Sequence, residues 1–190
     1  MSEPLHITDV FLRPGDCCFG DGRTRLRTLL GSCVAITLWH PRRHIGGMCH
    51  YMLPERAARR ETPLDGKYAD EALTLLAREI ARRGTALREY EIKLFGGGDM
   101  FPSAGRCVQG RIGAKNARFG KALLERQGLH PKVSDLGGYG HRKLIFDLWS
   151  GHVWVARPDK PLPEVCDDCE IRDLCFDPDR AEQARRLVND

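Results

Sequence analysis

A cysteine and a histidine on neighbouring apolar segments are the side chains of this sequence best suited to chemistry. Cys33 follows Gly31 and Ser32, whose small side chains leave its sulfur open to a substrate and nearby backbone N–H groups free to hold an oxyanion. His50 lies in the next apolar segment. An imidazole beside a thiol takes or shares its proton and lowers the thiol pKa, which produces the nucleophilic thiolate. The pair therefore predicts nucleophilic catalysis.

Both residues also have ordinary structural interpretations. A cysteine in a strand often serves as a small buried apolar residue. A histidine in a sheet can simply be buried and hydrogen-bonded. Residue type and spacing alone leave the catalytic and the structural interpretations open.

The segment that carries both residues, 26–54, has the pattern of a β-hairpin, with two apolar runs separated by polar residues. A turn centred on Pro41 and Arg42 places Cys33 directly opposite His50. Opposed residues have Cβ atoms about 4.5–5.5 Å apart on one face of the sheet. A bulge that shifted the pairing by one residue would put the two side chains on opposite faces.

The rest of the chain predicts two helices and further strands. Apolar residues recur at helical spacing from Tyr68 to Arg83 and end before Gly84, and a second helix is expected from about Lys115 to Gln127. Short strands are expected at 91–95, 132–136, 144–148 and 152–156. This order predicts an α/β fold with mixed, largely antiparallel β-sheet layers and two main flanking helices.

Composition narrows the class of protein. The 190 residues are 42% hydrophobic and 29% charged, as in globular proteins, and one main domain is expected. The net charge of +4 gives no strong field for nucleic acid or anionic lipid. No apolar run approaches the roughly 18 residues that span a bilayer, and no export signal is visible, so a cytoplasmic location without membrane insertion is expected.

The eight cysteines are expected to be thiols because nothing delivers the chain to an oxidising compartment. Three of them cluster near the end of the chain, at Cys166, Cys169 and Cys175. A structural zinc ion there would need a fourth ligand, such as Cys17 or Cys18; the alternative is a tail with reduced thiols. After Arg157 the sequence becomes rich in proline. This change in composition predicts a main domain over 1–157 and a tail over 158–190, with one short helix at 177–188.

Several motifs in series carry a family resemblance. The segment TLLGSCVAITLWHPRRHIGGMCHYMLP resembles the signature of the chemoreceptor glutamine deamidases, the CheD family of bacterial chemotaxis, in which Gly-Ser-Cys is followed by a histidine just before Met-Leu-Pro. Later blocks resemble the family in the same order: KLFGGGDMF (93–101), IGAKNA (112–117) and DLGGYGHRKLIFDLWSGHVWV (135–155). The resemblance covers about 26–157, and departs from the family at His141, where glycine is expected.

The resemblance implies a CheD-like α/β sandwich and a cysteine hydrolase that converts receptor glutamine to glutamate and ammonia through a thioester. Cys33 matches the nucleophile and His50 the base. Thr28 is the best match to the threonine that orients the histidine, while Thr37 or Asn116 could hold the imidazole instead. The implied reaction requires no metal or nucleotide cofactor.

The resemblance also implies partners. Methyl-accepting chemotaxis receptors are the implied protein substrates, and a CheC-type phosphatase is a further implied partner. The alternative function is a non-catalytic regulatory binding module that docks on chemoreceptors or on such a phosphatase.

Overall fold

The computed structural model describes residues 3–56, 63–100, 108–157 and 185–186. The helices are α1 (Ala69–Arg82) and α2 (Val108–Arg126), with a 3₁₀ turn at Leu87–Glu89. The strands, in chain order, are β1 (Thr8–Phe11), β2 (Cys17–Gly20), β3 (Thr24–Leu30), β4 (Val34–His40), β5 (Ile45–Tyr51), β6 (Glu91–Gly96), β7 (Val133–Leu136), β8 (Arg142–Asp147), β9 (His152–Ala156) and β10 (Arg185–Arg186).

The strands form two mixed sheets. The central sheet has the order β2-β5-β4-β6-β7, and the outer sheet has the order β1-β3-β8-β9-β10. Only β6 with β7 and β1 with β3 pair in parallel among the described strands; the other pairs are antiparallel. The helices pack on one face of the central sheet. This arrangement confirms the predicted α/β class with largely antiparallel layers and two flanking helices.

Two hydrophobic clusters hold the layers together, one on each face of the central sheet. Alternate residues of a strand point to opposite faces, so β4 contributes to both clusters. Val34 and Ile36 pack with α1 and α2, whereas Ala35 packs with the outer sheet. The outer sheet supplies Leu26, Leu30, Leu144, Phe146, Val153 and Val155 to the second cluster. The space between the sheets is therefore a closed apolar layer, in which any polar side chain needs a specific partner.

Helix α1 follows its sequence pattern closely. The apolar residues at helical spacing, Ala69, Ala72, Leu73, Leu76 and Ile80, are all buried. Gly84, just past the end, has a positive φ of 64°, the left-handed conformation that commonly ends a helix. Helix α2 begins at Val108 instead of Lys115. Within the described residues, neither helix has an apolar stretch long enough to cross a bilayer.

The first apolar segment of the expected hairpin is two strands and not one. β3 ends at Leu30 in the outer sheet, and β4 begins at Val34 in the central sheet. β3 alternates buried and half-buried residues, since one of its faces is partly open to solvent, whereas β4 is buried almost throughout. Residues 31–33 connect the two sheets, so Cys33 lies at the crossover. Strands β1 and β2 were not predicted.

The predicted hairpin register is wrong by two residues. The turn spans four residues, 41–44, and ends at His44, which has a left-handed φ of 49° and donates its N–H to the His40 carbonyl. Ala35, not Cys33, pairs with His50. A difference of two residues preserves the face of a strand, and Cys33, just before β4, packs against the same cluster between the sheets as Ala35, the partner of His50.

The predicted tail falls almost wholly outside the described residues. The cluster Cys166, Cys169 and Cys175 lies there, as does most of the helix expected at 177–188. The two described residues of that stretch, Arg185 and Arg186, are extended and pair with β9. The division at residue 157 therefore stays a prediction.

Candidate active site

A hydrogen bond across the two sheets fixes the imidazole of His50. Thr28, on β3 of the outer sheet, places its hydroxyl oxygen 2.7 Å from His50 Nδ1 on β5 of the central sheet. Both side chains are buried, at 2% exposure each. Thr28 points inward because the even-numbered residues of β3 face the central sheet. The contact therefore depends on the packing of one sheet upon the other.

The partners of this hydroxyl determine the imidazole tautomer. Thr28 Oγ1 donates to the Leu12 carbonyl at 2.9 Å. A hydroxyl has one hydrogen, so Thr28 accepts from His50, and Nδ1 carries the ring hydrogen. Nε2 is then the basic nitrogen. It is buried and has no hydrogen-bond partner among the described residues.

The surroundings keep His50 neutral. Burial lowers its pKa to about 4, against the smaller opposing effects of the Leu12 carbonyl and the Asp16 carboxylate. The backbone at His50 is also fixed, since its N–H donates to Asp16 and its carbonyl accepts from Gly15. At neutral pH the imidazole is therefore in the deprotonated state that a general base requires, with Nε2 free.

The thiol of Cys33 does not have the lowered pKa that a neighbouring imidazole was expected to produce. It is half-buried, and burial raises the pKa of its thiol. An imidazole that shared the thiol proton would lower this pKa, but the sulfur is not hydrogen-bonded to His50 Nε2. The resting chain thus holds a neutral thiol and a neutral imidazole. Catalytic hydrogen bonds are often long in unliganded enzymes and shorten when the substrate binds.

The segment around Cys33 is held by the glycine loop that follows β6. Gly97 N–H donates to the Cys33 carbonyl at 2.7 Å, and Gly98 N–H donates to the Gly31 carbonyl at 2.9 Å. The N–H groups of Ser32 and Cys33, by contrast, meet no acceptor within the described part of the chain. The loop therefore fixes the carbonyls and leaves N–H groups available to an oxyanion.

The two alternative partners for the imidazole lie elsewhere. Thr37 Oγ1 contacts the Lys93 carbonyl at 3.5 Å. Asn116 donates its side-chain amide to the carbonyls of Ser32 and Met52, at 3.1 and 2.7 Å. Of the three candidates, Thr28 alone contacts His50. The Leu12 carbonyl was not predicted, because a backbone acceptor 16 residues away in the chain has no side-chain signal.

A second glycine loop borders the first. This second loop spans residues 138–140: Asp99 donates its N–H to the Gly138 carbonyl, and its own carbonyl accepts from the Gly140 N–H. Tyr139, at the tip of the loop, is 70% exposed. Beneath it lies the buried Arg142, whose guanidinium donates to the Asp135 and Gly137 carbonyls. His141, the departure from the family pattern, is buried. Its imidazole pKa is lowered by burial and by the neighbouring Lys143.

The described surface also has two open grooves away from this cluster. One, of about 470 Å³, lies between α1 and α2 beside Leu73 and Phe119. The other, of about 730 Å³, lies beside Cys17 and Cys18, which are free thiols. Neither groove is lined by Cys33 or His50.

Comparisons with known proteins identify the family of this chain. Residues 52–157 match the family model for CheD, chemotactic sensory transduction. A protein of Pseudomonas fluorescens (strain SBW25) named probable chemoreceptor glutamine deamidase CheD is 49% identical over 176 residues, which cover 92% of this chain and 98% of that protein. A protein of Dechloromonas aromatica (strain RCB) named probable chemoreceptor glutamine deamidase CheD 3 is 47% identical over 165 residues, covering 86% and 96%.

A third relative is less similar but aligns over most of its length. A protein of Leptospira interrogans named probable chemoreceptor glutamine deamidase CheD 1 is 41% identical over 165 residues, which cover 83% of this chain and 97% of that protein. The family model covers more than half of the chain, and these relatives align over most of their own lengths. The chain belongs to the CheD family of chemotactic sensory transduction proteins.

Proposed function

We propose that this chain is a chemoreceptor glutamine deamidase in which Cys33 is the nucleophile, His50 the general base and acid, and Thr28 the residue that orients His50. The substrate is a glutamine side chain of a chemoreceptor, as in the names of the relatives. The products are a glutamate side chain and ammonia. The proposal places the chain in the cytoplasm.

The first half of the reaction forms a thioester. Neutral Nε2 of His50 takes the thiol proton of Cys33 while the sulfur bonds to the carboxamide carbon of glutamine. Negative charge moves to the carboxamide oxygen, where the N–H groups of Ser32 and Cys33 can receive it. The imidazolium then gives its proton to the amide nitrogen, the C–N bond breaks, and ammonia leaves.

The second half restores the thiol. Neutral His50 takes a proton from water as the water oxygen attacks the thioester carbon. The C–S bond breaks, the sulfur regains a proton from the imidazolium, and the side chain leaves as glutamate. Thr28 accepts the Nδ1 hydrogen throughout, which keeps Nε2 as the atom that moves protons.

One observation carries the proposal: the Thr28 hydroxyl accepts from His50 Nδ1 and leaves Nε2 unpartnered on the face of the sheet where Cys33 lies. A buried imidazole nitrogen without a hydrogen-bond partner lowers the stability of the fold. A catalytic role for Nε2 would account for this arrangement. The orientation of the ring by Thr28, together with the free Nε2, gives His50 the geometry of a general base.

The test is ammonia release from a purified chemoreceptor cytoplasmic fragment. The native chain should release ammonia, and Cys33→Ser should release none, because a serine hydroxyl is a far weaker nucleophile without stronger activation. Cys18→Ser is the matched control, since Cys18 is another half-buried free thiol, and it should retain release. Equal release from native chain and Cys33→Ser would refute the cysteine mechanism.

The same fragment separates the enzyme from a docking module. Binding retained by Cys33→Ser with release lost would assign both recognition and catalysis to the chain. Binding by a native chain that releases no ammonia would favour the non-catalytic alternative. Docking on a CheC-type phosphatase is a further proposal from the resemblance, tested by co-sedimentation with that phosphatase.

A further inference from the structure

We propose that Asn116 is a positioning residue that sets the distance between the nucleophile segment and the strand that carries the base. The inference rests on the proposed function, and assigns to α2 a part in catalysis. Asn116 is fully buried on α2. It would act through Cys33 and His50 and would not touch the substrate.

The geometry is that of a clamp. The single Nδ2 atom of Asn116 donates one hydrogen to the Ser32 carbonyl at 3.1 Å and the other to the Met52 carbonyl at 2.7 Å. Ser32 directly precedes Cys33, and Met52 lies two residues after His50. One amide group therefore ties together the two backbone segments whose side chains must exchange a proton. Because both partners are carbonyl oxygens, the atom that faces them must be the nitrogen.

The helix that carries Asn116 is itself fixed against the site. The backbone carbonyl of Asn116 accepts from the hydroxyl of Tyr51, the neighbour of His50, at 2.9 Å. A Cβ atom at Gly113 would lie 2.5 Å from the Gly98 carbonyl, and one at Gly120 would lie 2.1 Å from the Tyr51 hydroxyl. The close approach of α2 at these glycines leaves little freedom for the clamp to move.

The remaining atom of the amide supports a requirement for asparagine here. Asn116 Oδ1 is buried and has no hydrogen-bond partner among the described residues, and an unpaired buried acceptor lowers stability. Selection for stability alone would favour a residue without this unpaired acceptor. A positioning role explains why asparagine is present. An amide nitrogen that donates two hydrogens belongs to a group that also carries an oxygen, so the unpaired Oδ1 accompanies the two useful hydrogen bonds.

Asn116→Asp tests the clamp, because it preserves shape and replaces the donating nitrogen with an oxygen that faces two carbonyls. The control is Thr37→Val, which also removes a buried donor to a backbone carbonyl, but one that contacts Lys93 and neither Ser32 nor Met52. Two readouts are measured: kcat and KM for the receptor fragment, and the pH dependence of Cys33 acylation by 4-nitrophenyl acetate. The second readout does not require receptor recognition.

We expect Asn116→Asp to lower kcat by about 10- to 100-fold with KM little changed, since small displacements of reacting groups have effects of this size. Acylation should fall similarly and should rise continuously with pH, because the thiol must then ionise without His50. Thr37→Val should change neither readout. A purely structural role would lower the unfolding midpoint but leave the pH profile unchanged.

Asn116→Ser is the second variant, because its hydroxyl can still donate to one carbonyl. Its rate should lie between those of the native chain and Asn116→Asp. Native kcat and pH profile in folded Asn116→Asp or Asn116→Ser would overturn the clamp. Absence of ammonia release from the native chain, with acylation still dependent on Asn116, would refute the deamidase proposal alone.

Discussion

At the scale of single residues, the hydroxyl of Thr28 is the group whose loss should separate orientation from nucleophilicity. Thr28→Val removes the acceptor for His50 Nδ1–H with little change in volume. Acid–base catalysis contributes about 10²–10⁴-fold, and we expect kcat to fall by about 10-fold or more. Steady-state deamidation of a receptor fragment measures the effect.

Thr37→Val is the matched control for this change as well. Thr37 is also a buried threonine between the sheets, but it contacts the Lys93 carbonyl and not His50. Its removal should leave kcat within about twofold of the native chain. Equal losses in the two variants would mean that Thr28 acts through stability and not through the imidazole.

The pH dependence of the reaction follows from the lowered pKa of His50. His50 can act as a general base only when its imidazole is neutral, and its pKa is about 4. The rate kcat/KM should therefore stay level as pH falls from neutral to about 5 and drop below about pH 4 as the imidazole becomes protonated. An acid limb near pH 6.5, the ordinary value for histidine, would show that burial does not control this group.

At the scale of elements, the packing of α2 against the glycine loop is the contact that supports Cys33. Gly97 has a φ of 67°, and a Cβ there would lie 2.7 Å from the Gly113 carbonyl. Gly97→Ala should lower the unfolding free energy by about 1–2 kcal/mol for the conformation and by about 1–3 kcal/mol more for the overlap. Deamidation should also fall, because the loop N–H holds the Cys33 carbonyl.

Gly84→Ala separates the two contributions. Gly84 has a φ of 64°, close to that of Gly97, but a Cβ there would meet no atom within 4 Å. Gly84→Ala should therefore lower the unfolding free energy only by the amount due to backbone conformation, and it should keep full activity. Urea unfolding of both variants gives the comparison, and equal losses at the two glycines would contradict the role assigned to close packing.

Elements governed by local patterns were predictable from the sequence. Helix α1 repeats its apolar residues at helical spacing, and the bounds predicted for β9 agree with the structure. The crossover at residues 31–33 was not predicted, because apolar residues lie on both sides of Gly31 and Ser32 and favour one continuous strand. The register was wrong because the left-handed His44 extends the turn, and a histidine gives no sequence signal for that conformation.

The site itself was only partly accessible from sequence. Cys33 and His50 are identifiable by type and by their place in apolar segments, and their shared face survived the error in register. The match of Thr28 came from the family resemblance, since no local rule links a residue of one sheet to an imidazole of another. The clamp formed by Asn116 depends on tertiary contacts to two carbonyls, which sequence patterns do not encode.

At the scale of the whole molecule, burial of neutral His50 links stability to pH. The folded chain resists protonation until about pH 4, whereas the unfolded chain takes up a proton near pH 6.5. The unfolded state thus binds more protons between these values, and stability must fall as pH falls through this range. The contribution of His50 amounts to about 3 kcal/mol between neutral pH and pH 4.

His50→Gln removes this titration. The unfolding free energy of the native chain minus that of the variant should therefore decrease as pH falls from about 6.5 to 4. Urea unfolding across this range measures the difference. Exposed carboxylates titrate in both proteins and cancel in the difference. A difference independent of pH would mean that the folded chain protonates His50 as readily as the unfolded chain does.

In the proposed mechanism the sulfur of Cys33, at the sheet crossover, and the imidazole of His50, on the central sheet, act as a single catalytic unit. The most direct test is a double-mutant cycle of Cys33→Ala and His50→Gln, scored by conversion of glutamine to glutamate in a chemoreceptor fragment by mass spectrometry. Residues that act as a unit are strongly non-additive, so the double variant should be no slower than the slower of the two single variants. Losses that multiply in the double variant, or a native rate in either single variant, would contradict the account.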